Sequence, residues 1–132
     1  MTARGINLNN PFDIEKSSIQ WQGLVYPGRD LVFCEFIDGM HGLRAGFIDL
    51  KTKINEKIDT IAKIVTKFAP PSENNTEAYI ANVAAMAGID KDKELMQSDI
   101  KAVGLAIIHE EVGSCPYSDD EINQALISAG LK

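Results

Sequence analysis

Glu111 is a carboxylate where an apolar helix stripe should continue, and that placement suits it to hold or release a proton. At about 100° per residue, Ile100, Val103, Gly104 and Ile107 share one side of a helix, and Glu111 falls within roughly 20–40° of the stripe's centre. His109 comes out opposite the stripe and Glu110 about 70° away on its flank, so only Glu111 of the three is aimed at the core. Apolar neighbours strip water from such a carboxyl and disfavour its charge. The negative end of the helix dipole works the same way, since Gly113 and Pro116 stop the helix just beyond it. A carboxylic acid still protonated near neutral pH can donate to a leaving-group oxygen, which is the general-acid half of glycoside hydrolysis. The plainer alternative is a solvated glutamate in a last helical turn.

Few other residues offer chemistry. His41 and His109 are the only histidines, and neither stands beside a serine or cysteine in a recognisable motif, so a nucleophile–histidine arrangement has little support. Cys34 and Cys115 are too few for a disulfide framework and too isolated for a zinc site; Cys34, in a strand-like apolar run, reads as a packed thiol. No metal or organic cofactor is implied. The lysines from Lys51 to Lys67 interleave with Glu56 and Asp59, as on a solvated helix. With a formal charge of −6 and no clustered basic face, nucleic acid is not an expected partner. No run approaches the roughly 20 apolar residues of a membrane span, and the polar start Met1–Gly5 lacks a signal-peptide core, so the expectation is a chain made and folded in a cytoplasm.

The elements that must position Glu111 follow from periodicity. Residues 1–40 read as loop and hairpin: Asn9-Asn10-Pro11 is turn chemistry, Ile19–Tyr26 and Leu31–Ile37 are strand-like, and Pro27-Gly28 turns between them. Residues 41–132 read as a helical bundle. Leu43, Phe47, Leu50 and Ile54 mark one helix; Ile61, Ile64, Val65 and Phe68 mark a second, halted by Pro70-Pro71. Asn75-Thr76 caps a third, carrying Tyr79, Ile80, Val83 and Met86 and closed by Gly88. Ile100–Glu111 is the most apolar segment and so the helix the others surround, while Ser118-Asp119-Asp120-Glu121 is a capping box opening the last. The expected fold is one α+β domain, mainly α: a small N-terminal β-hairpin packed on five or so helices. His41 reads as a loop residue, Glu73 as a helix-start charge, and the sequon Asn74-Asn75-Thr76 carries little weight in a chain without a secretion signal.

Arg4-Gly5-Ile6-Asn7-Leu8-Asn9-Asn10-Pro11-Phe12-Asp13-Ile14, followed by Trp21-Gln22-Gly23, resembles the opening of small bacteriophage virion-associated proteins, whose pattern is close to R-G-I-R-N-N-N-P-G-N-I and then W-x-G. The likeness continues through Phe33-Cys34-Glu35-Phe36, Gly42-Leu43-Arg44-Ala45, Phe68–Thr76 with Tyr79, and Ala106–Gly113 with Pro116-Tyr117. It spans nearly the whole chain. Such proteins are usually described as phage structural proteins, yet the block Ile107-Ile108-His109-Glu110-Glu111-Val112-Gly113 looks like the place where lysozyme-like transglycosylases carry their catalytic glutamate. The resemblance implies a lysozyme-like domain, circularly permuted, with the hairpin and the Asn10 loop folded back over the end of the Glu111 helix.

It further implies a muramidase or lytic transglycosylase acting on a peptidoglycan glycan strand, at the β-1,4 bond between N-acetylmuramic acid and N-acetylglucosamine. The setting would be the virion or the host cytoplasm, with the cell wall as target and other virion proteins as further partners. Glu111 would be the general acid and Asp13 the second carboxylate, unless Asp13 merely caps a turn. Asn10, Gln22, Tyr79 and Tyr117 are the substrate-binding candidates, with Tyr79 equally at home at the core rim. Trp21 reads as hairpin core before sugar platform. One position departs from the pattern: Phe12 replaces a glycine that would let the backbone approach a sugar, which counts against intact catalysis. The alternative is a non-catalytic virion structural or host-interaction protein on the same scaffold; an acidic inhibitor of a host defence enzyme ranks below both.

Overall fold

Six helices and one two-stranded sheet make up the structure, a computed structural model that describes residues 4–69 and 75–131. The expectations placed on Pro70, Pro71, Ser72, Glu73 and Asn74 lie outside the described residues. Helix α2 (Gly39–Asn55) starts where the Asp38 carboxylate accepts the His41 N–H at 2.9 Å, which puts His41 in its first turn and not in a loop. Helix α3 (Ile61–Phe68) is capped by Thr60, and α4 (Thr76–Ala87) by Asn75, whose amide oxygen accepts the Ala78 N–H; left-handed Gly88 ends α4. Helix α5 (Ile100–Val112) ends at left-handed Gly113, and Ser118 and Glu121 form the capping box of α6 (Asp119–Ser128). These match the periodic stripes and caps read from the residues.

Helix α5 is the central element, packed against α4 and α2, with α6 on α2 and α3 on α4. Ile100, Val103, Ala106, Ile107 and Ile108 are buried on it, joining Leu43, Phe47 and Leu50 of α2, Ile61, Ile64 and Val65 of α3 and Leu126 of α6 in one apolar core. Its apolar face is too broad for a single-sided amphipathic helix because partners cover it from several directions. A smaller cluster of Cys34, Phe36 and Ala45, with Trp21 and Leu24 against it, seats the N-terminal segment on α2.

The N-terminal segment differs most from expectation. The hairpin exists, but β1 (Leu24–Val25) and β2 (Glu35–Phe36) are two residues each, paired antiparallel as Leu24 with Phe36 and Val25 with Glu35. Side chains take over what a ladder would hold: the Asp30 carboxylate accepts both the Val32 and Phe33 N–H, and Glu35 accepts the Arg29 N–H and its guanidinium. The rest of the pairing comes from upstream, where Glu15 bridges Phe33 and the Cys34 N–H donates to Ile14 O. A single helical turn, α1 (Arg4–Asn7), opens the described chain, where only loop and strand were expected; four residues carry too little periodicity to declare a helix.

Phe12 is fully buried and meets Phe47 edge-on at 5.7 Å between ring centres. It fits because Gly46 of α2 has no side chain: a Cβ there would sit 1.8 Å from the Phe12 ring. The ring therefore points into the core.

Candidate active site

Glu111 emerges in the last turn of α5, half-buried, as its position on the stripe requires, while His109 is exposed. Its carboxyl is pushed up from 4.5 to about 7, first by burial, then by the negative charges of Asp13 and Glu110; the Tyr79 hydroxyl opposes the shift. Tyr79 comes from α4, and its buried hydroxyl faces the Glu111 carboxyl, short of the geometry of a well-formed hydrogen bond but near enough to favour the charged acid. Tyr79 thus stands beside the acid as part of the core rim.

Asp13 follows Phe12 on the loop that crosses the end of α5. Its backbone is left-handed, at φ 50°, and its N–H donates to Asn10 O at 3.1 Å. A Cβ on Gly5 would touch Asp13 Oδ1 at 3.0 Å and Val112 Cγ1 at 2.7 Å, so the aspartate and the residue after Glu111 pack against one small spot. Burial raises the Asp13 carboxyl from 3.8 to about 6; Arg4 pulls it down and Asp30 pushes it up. Arg4 is held there by its 3.6 Å contact with Asp30 and by lying over the Phe33 ring at 5.0 Å. Nothing in the spacing of Arg4 had marked it for that role; only its place in the opening motif block drew attention to it.

Both acids open into one cleft of about 470 Å³. Asp13, Glu15, Trp21 and Phe33 form the wall from the N-terminal segment, and Asp49 of α2, Lys67 and Phe68 of α3 and Glu111 of α5 form the helical wall. Asp49 is held by Lys53 at 2.6 Å, and the Lys53 ammonium lies over the Phe68 ring. A second hollow of about 550 Å³ shares Ser17, Ile19 and Trp21 with the first and runs on to Leu24 and Tyr26. Trp21 packs on the Cys34–Phe36 cluster, as expected of hairpin core, and also lines the cleft.

The structure brings Glu111, Asp13 and Tyr79 together and sets the other candidates apart. Asn10 is fully buried and its amide is committed inward, donating to Ile14 O at 3.0 Å and Cys34 O at 2.9 Å and accepting the Ile14 N–H. It shapes the loop that aims Asp13 without lining the cleft. Gln22 is exposed outside the cleft, and Tyr117 packs over Gly39 at the start of α2. Lys67, Phe68 and Phe33 line the cleft and were missed, because each reads from its spacing as an ordinary helix or strand residue.

No family model matches the sequence. Over 126 residues the chain is 39% identical to Protein P5 of Pseudoalteromonas phage PM2, in an alignment covering 92% of this chain and 79% of that protein. The chain belongs to the family of that phage protein. The relationship to bacteriophage proteins expected from the motif blocks therefore holds. Within this P5 relative no helix of the described residues is long and apolar enough to cross a membrane, and no group of three or more His, Cys, Asp or Glu among them could hold a metal ion.

Proposed function

We propose that this P5 relative is a phage glycosidase that opens the β-1,4 bond between N-acetylmuramic acid and N-acetylglucosamine in peptidoglycan, on a lysozyme-like arrangement of a glutamate helix and a folded-back hairpin. The observation that carries the reading is the pairing of two half-buried carboxyls on one cleft, Glu111 near 7 and Asp13 near 6. Between those values Glu111 is mostly protonated and Asp13 mostly ionised. Such a pair can protonate the leaving oxygen on one side of a glycosidic bond while a carboxylate faces the positive charge that builds on the ring, or activates the attacking water. The coupling favours this division, because the Asp13 charge itself helps keep Glu111 neutral.

The cleft suits a polymer. It continues along the hairpin into the second hollow, and Trp21, Phe33 and Phe68 place aromatic side chains on its lining. Virion or cytoplasm would be its station and the cell wall its target, with no cofactor called for by an acid–carboxylate pair. The test is loss of turbidity of purified cell walls: the wild-type protein clears them and Glu111→Gln does not. Wild-type protein inert on such walls over pH 5–8 overturns the proposal.

A second reading rests on the hairpin. Leu31 and Tyr26 are 95% and 89% exposed, and Ile19, Val32 and Ile37 near them are also solvent-facing. Apolar side chains gathered on one segment fit a contact with another virion protein. That role would coexist with catalysis, since Glu111 faces a cleft and is held in no ion pair among the described residues.

A further inference from the structure

Lys67 is the one lysine or arginine lining the cleft among the described residues, and it makes no ion pair with any of them. The neighbouring charges are engaged: Asp49 holds Lys53, and Arg4 faces Asp30 and Asp13. Lys67 sits in the last turn of α3 beside Phe68, on the wall that also carries the Lys53-paired Asp49 and the proton-holding Glu111, while the acids Asp13 and Glu15 stand on the wall from the N-terminal segment. The cleft is thus uneven in charge. An anionic group entering it is repelled along the carboxylate side and meets an uncompensated ammonium only at Lys67. A neutral sugar can accept a hydrogen bond from that ammonium but gains no charge–charge attraction.

We infer that Lys67 selects a sugar bearing a carboxylate on its side arm and sets the register of that sugar against Glu111. The inference rests on the glycosidase reading. In peptidoglycan the arm on the muramoyl 3-oxygen supplies the anion, either as the free lactyl carboxylate of a peptide-free glycan or as a carboxylate of the stem peptide. Lys67 is a specificity residue, and the bond broken lies at Glu111.

The test is equilibrium binding by calorimetry to Glu111→Gln protein, with Lys67 intact, changed to Met, or changed to Arg. Three probes are used: a peptide-free muramoyl–glucosaminyl tetrasaccharide, the same glycan with stem peptides, and the tetrasaccharide of N-acetylglucosamine. Lys67→Met is expected to weaken binding of a muramoyl probe about fivefold, the scale of one solvent-accessible ion pair, and to leave the neutral probe nearly unchanged. Loss confined to the peptide-free probe assigns the lactyl carboxylate, and loss confined to the stem-bearing probe assigns the peptide. Lys67→Arg keeps most of the affinity, and added salt narrows the gap between muramoyl and neutral probes. Muramoyl probes bound equally with Lys67 intact and after Lys67→Met overturn the inference alone. Failure of the protein with Lys67 intact to bind any of the three overturns the glycosidase reading with it.

Discussion

Glu111 destabilises the fold above neutral pH, and that effect can be weighed separately from catalysis. Folding moves its pKa from 4.5 to about 7, so between those values the folded chain holds a proton that the unfolded chain has released. The stability this contributes is fully present below 4.5 and is lost as pH rises through about 7. At about 1.4 kcal/mol per unit the shift is worth roughly 3 kcal/mol. Water reaching the open cleft screens the charge and reduces this to about 1–2 kcal/mol. Glu111→Gln keeps the volume and removes the ionisation, so it should lie close to the wild type at pH 5, where most of the effect is still in place, and exceed it by about 1–2 kcal/mol at pH 8, or roughly 3–8 °C in Tm. Thermal melts followed by circular dichroism at both pH values read this directly. A Tm difference of equal size at pH 5 and pH 8, or a variant less stable than wild type at pH 8, would refute the claim that Glu111 is held neutral by its surroundings. The same substitution should cut wall clearing by about 100-fold or more, the contribution of a positioned general acid. A protein that gains stability where it loses activity is what a strained acid predicts.

Three further outcomes follow from the same geometry. Activity should peak between the Asp13 and Glu111 values of about 6 and 7, falling on the acid side as Asp13 takes up a proton and on the alkaline side as Glu111 loses one; a profile flat from pH 5 to 8 contradicts the pair. Tyr79→Phe removes the hydroxyl that holds the Glu111 pKa down, so the alkaline limb should move upward, and an unmoved limb shows that the hydroxyl does not act on the acid. Phe12→Ala leaves a ring-sized hole between Phe47 and Gly46 and should cost about 3–5 kcal/mol in urea unfolding, whereas a cost under about 1 kcal/mol shows that the ring is no anchor.

What the residues disclosed and what they concealed divide along a physical line. Periodicity and caps act within a few residues, so the span of α5, the caps at Asn75 and Ser118, and the inward aim of Glu111 were all legible before any fold was known. The hairpin was legible in kind but not in extent, since Asp30 and Glu35 replace ladder bonds with side-chain bonds that alternation cannot foresee. Contacts across the chain left no local trace. Asn10 looked like a sugar ligand because its amide is suited to one, yet that amide ties Ile14 to Cys34.

Phe12 shows the limit most sharply. Read as a replacement for a flexible glycine, it suggested decay; set over Gly46, it locks the loop whose next residue is Asp13. A left-handed aspartate between a fully buried ring and the Asn10-bound Ile14 has little freedom to swing away from Glu111. A pair of acids kept at different pKa values needs such fixing, because desolvation and mutual repulsion would otherwise drive the mobile partner into water.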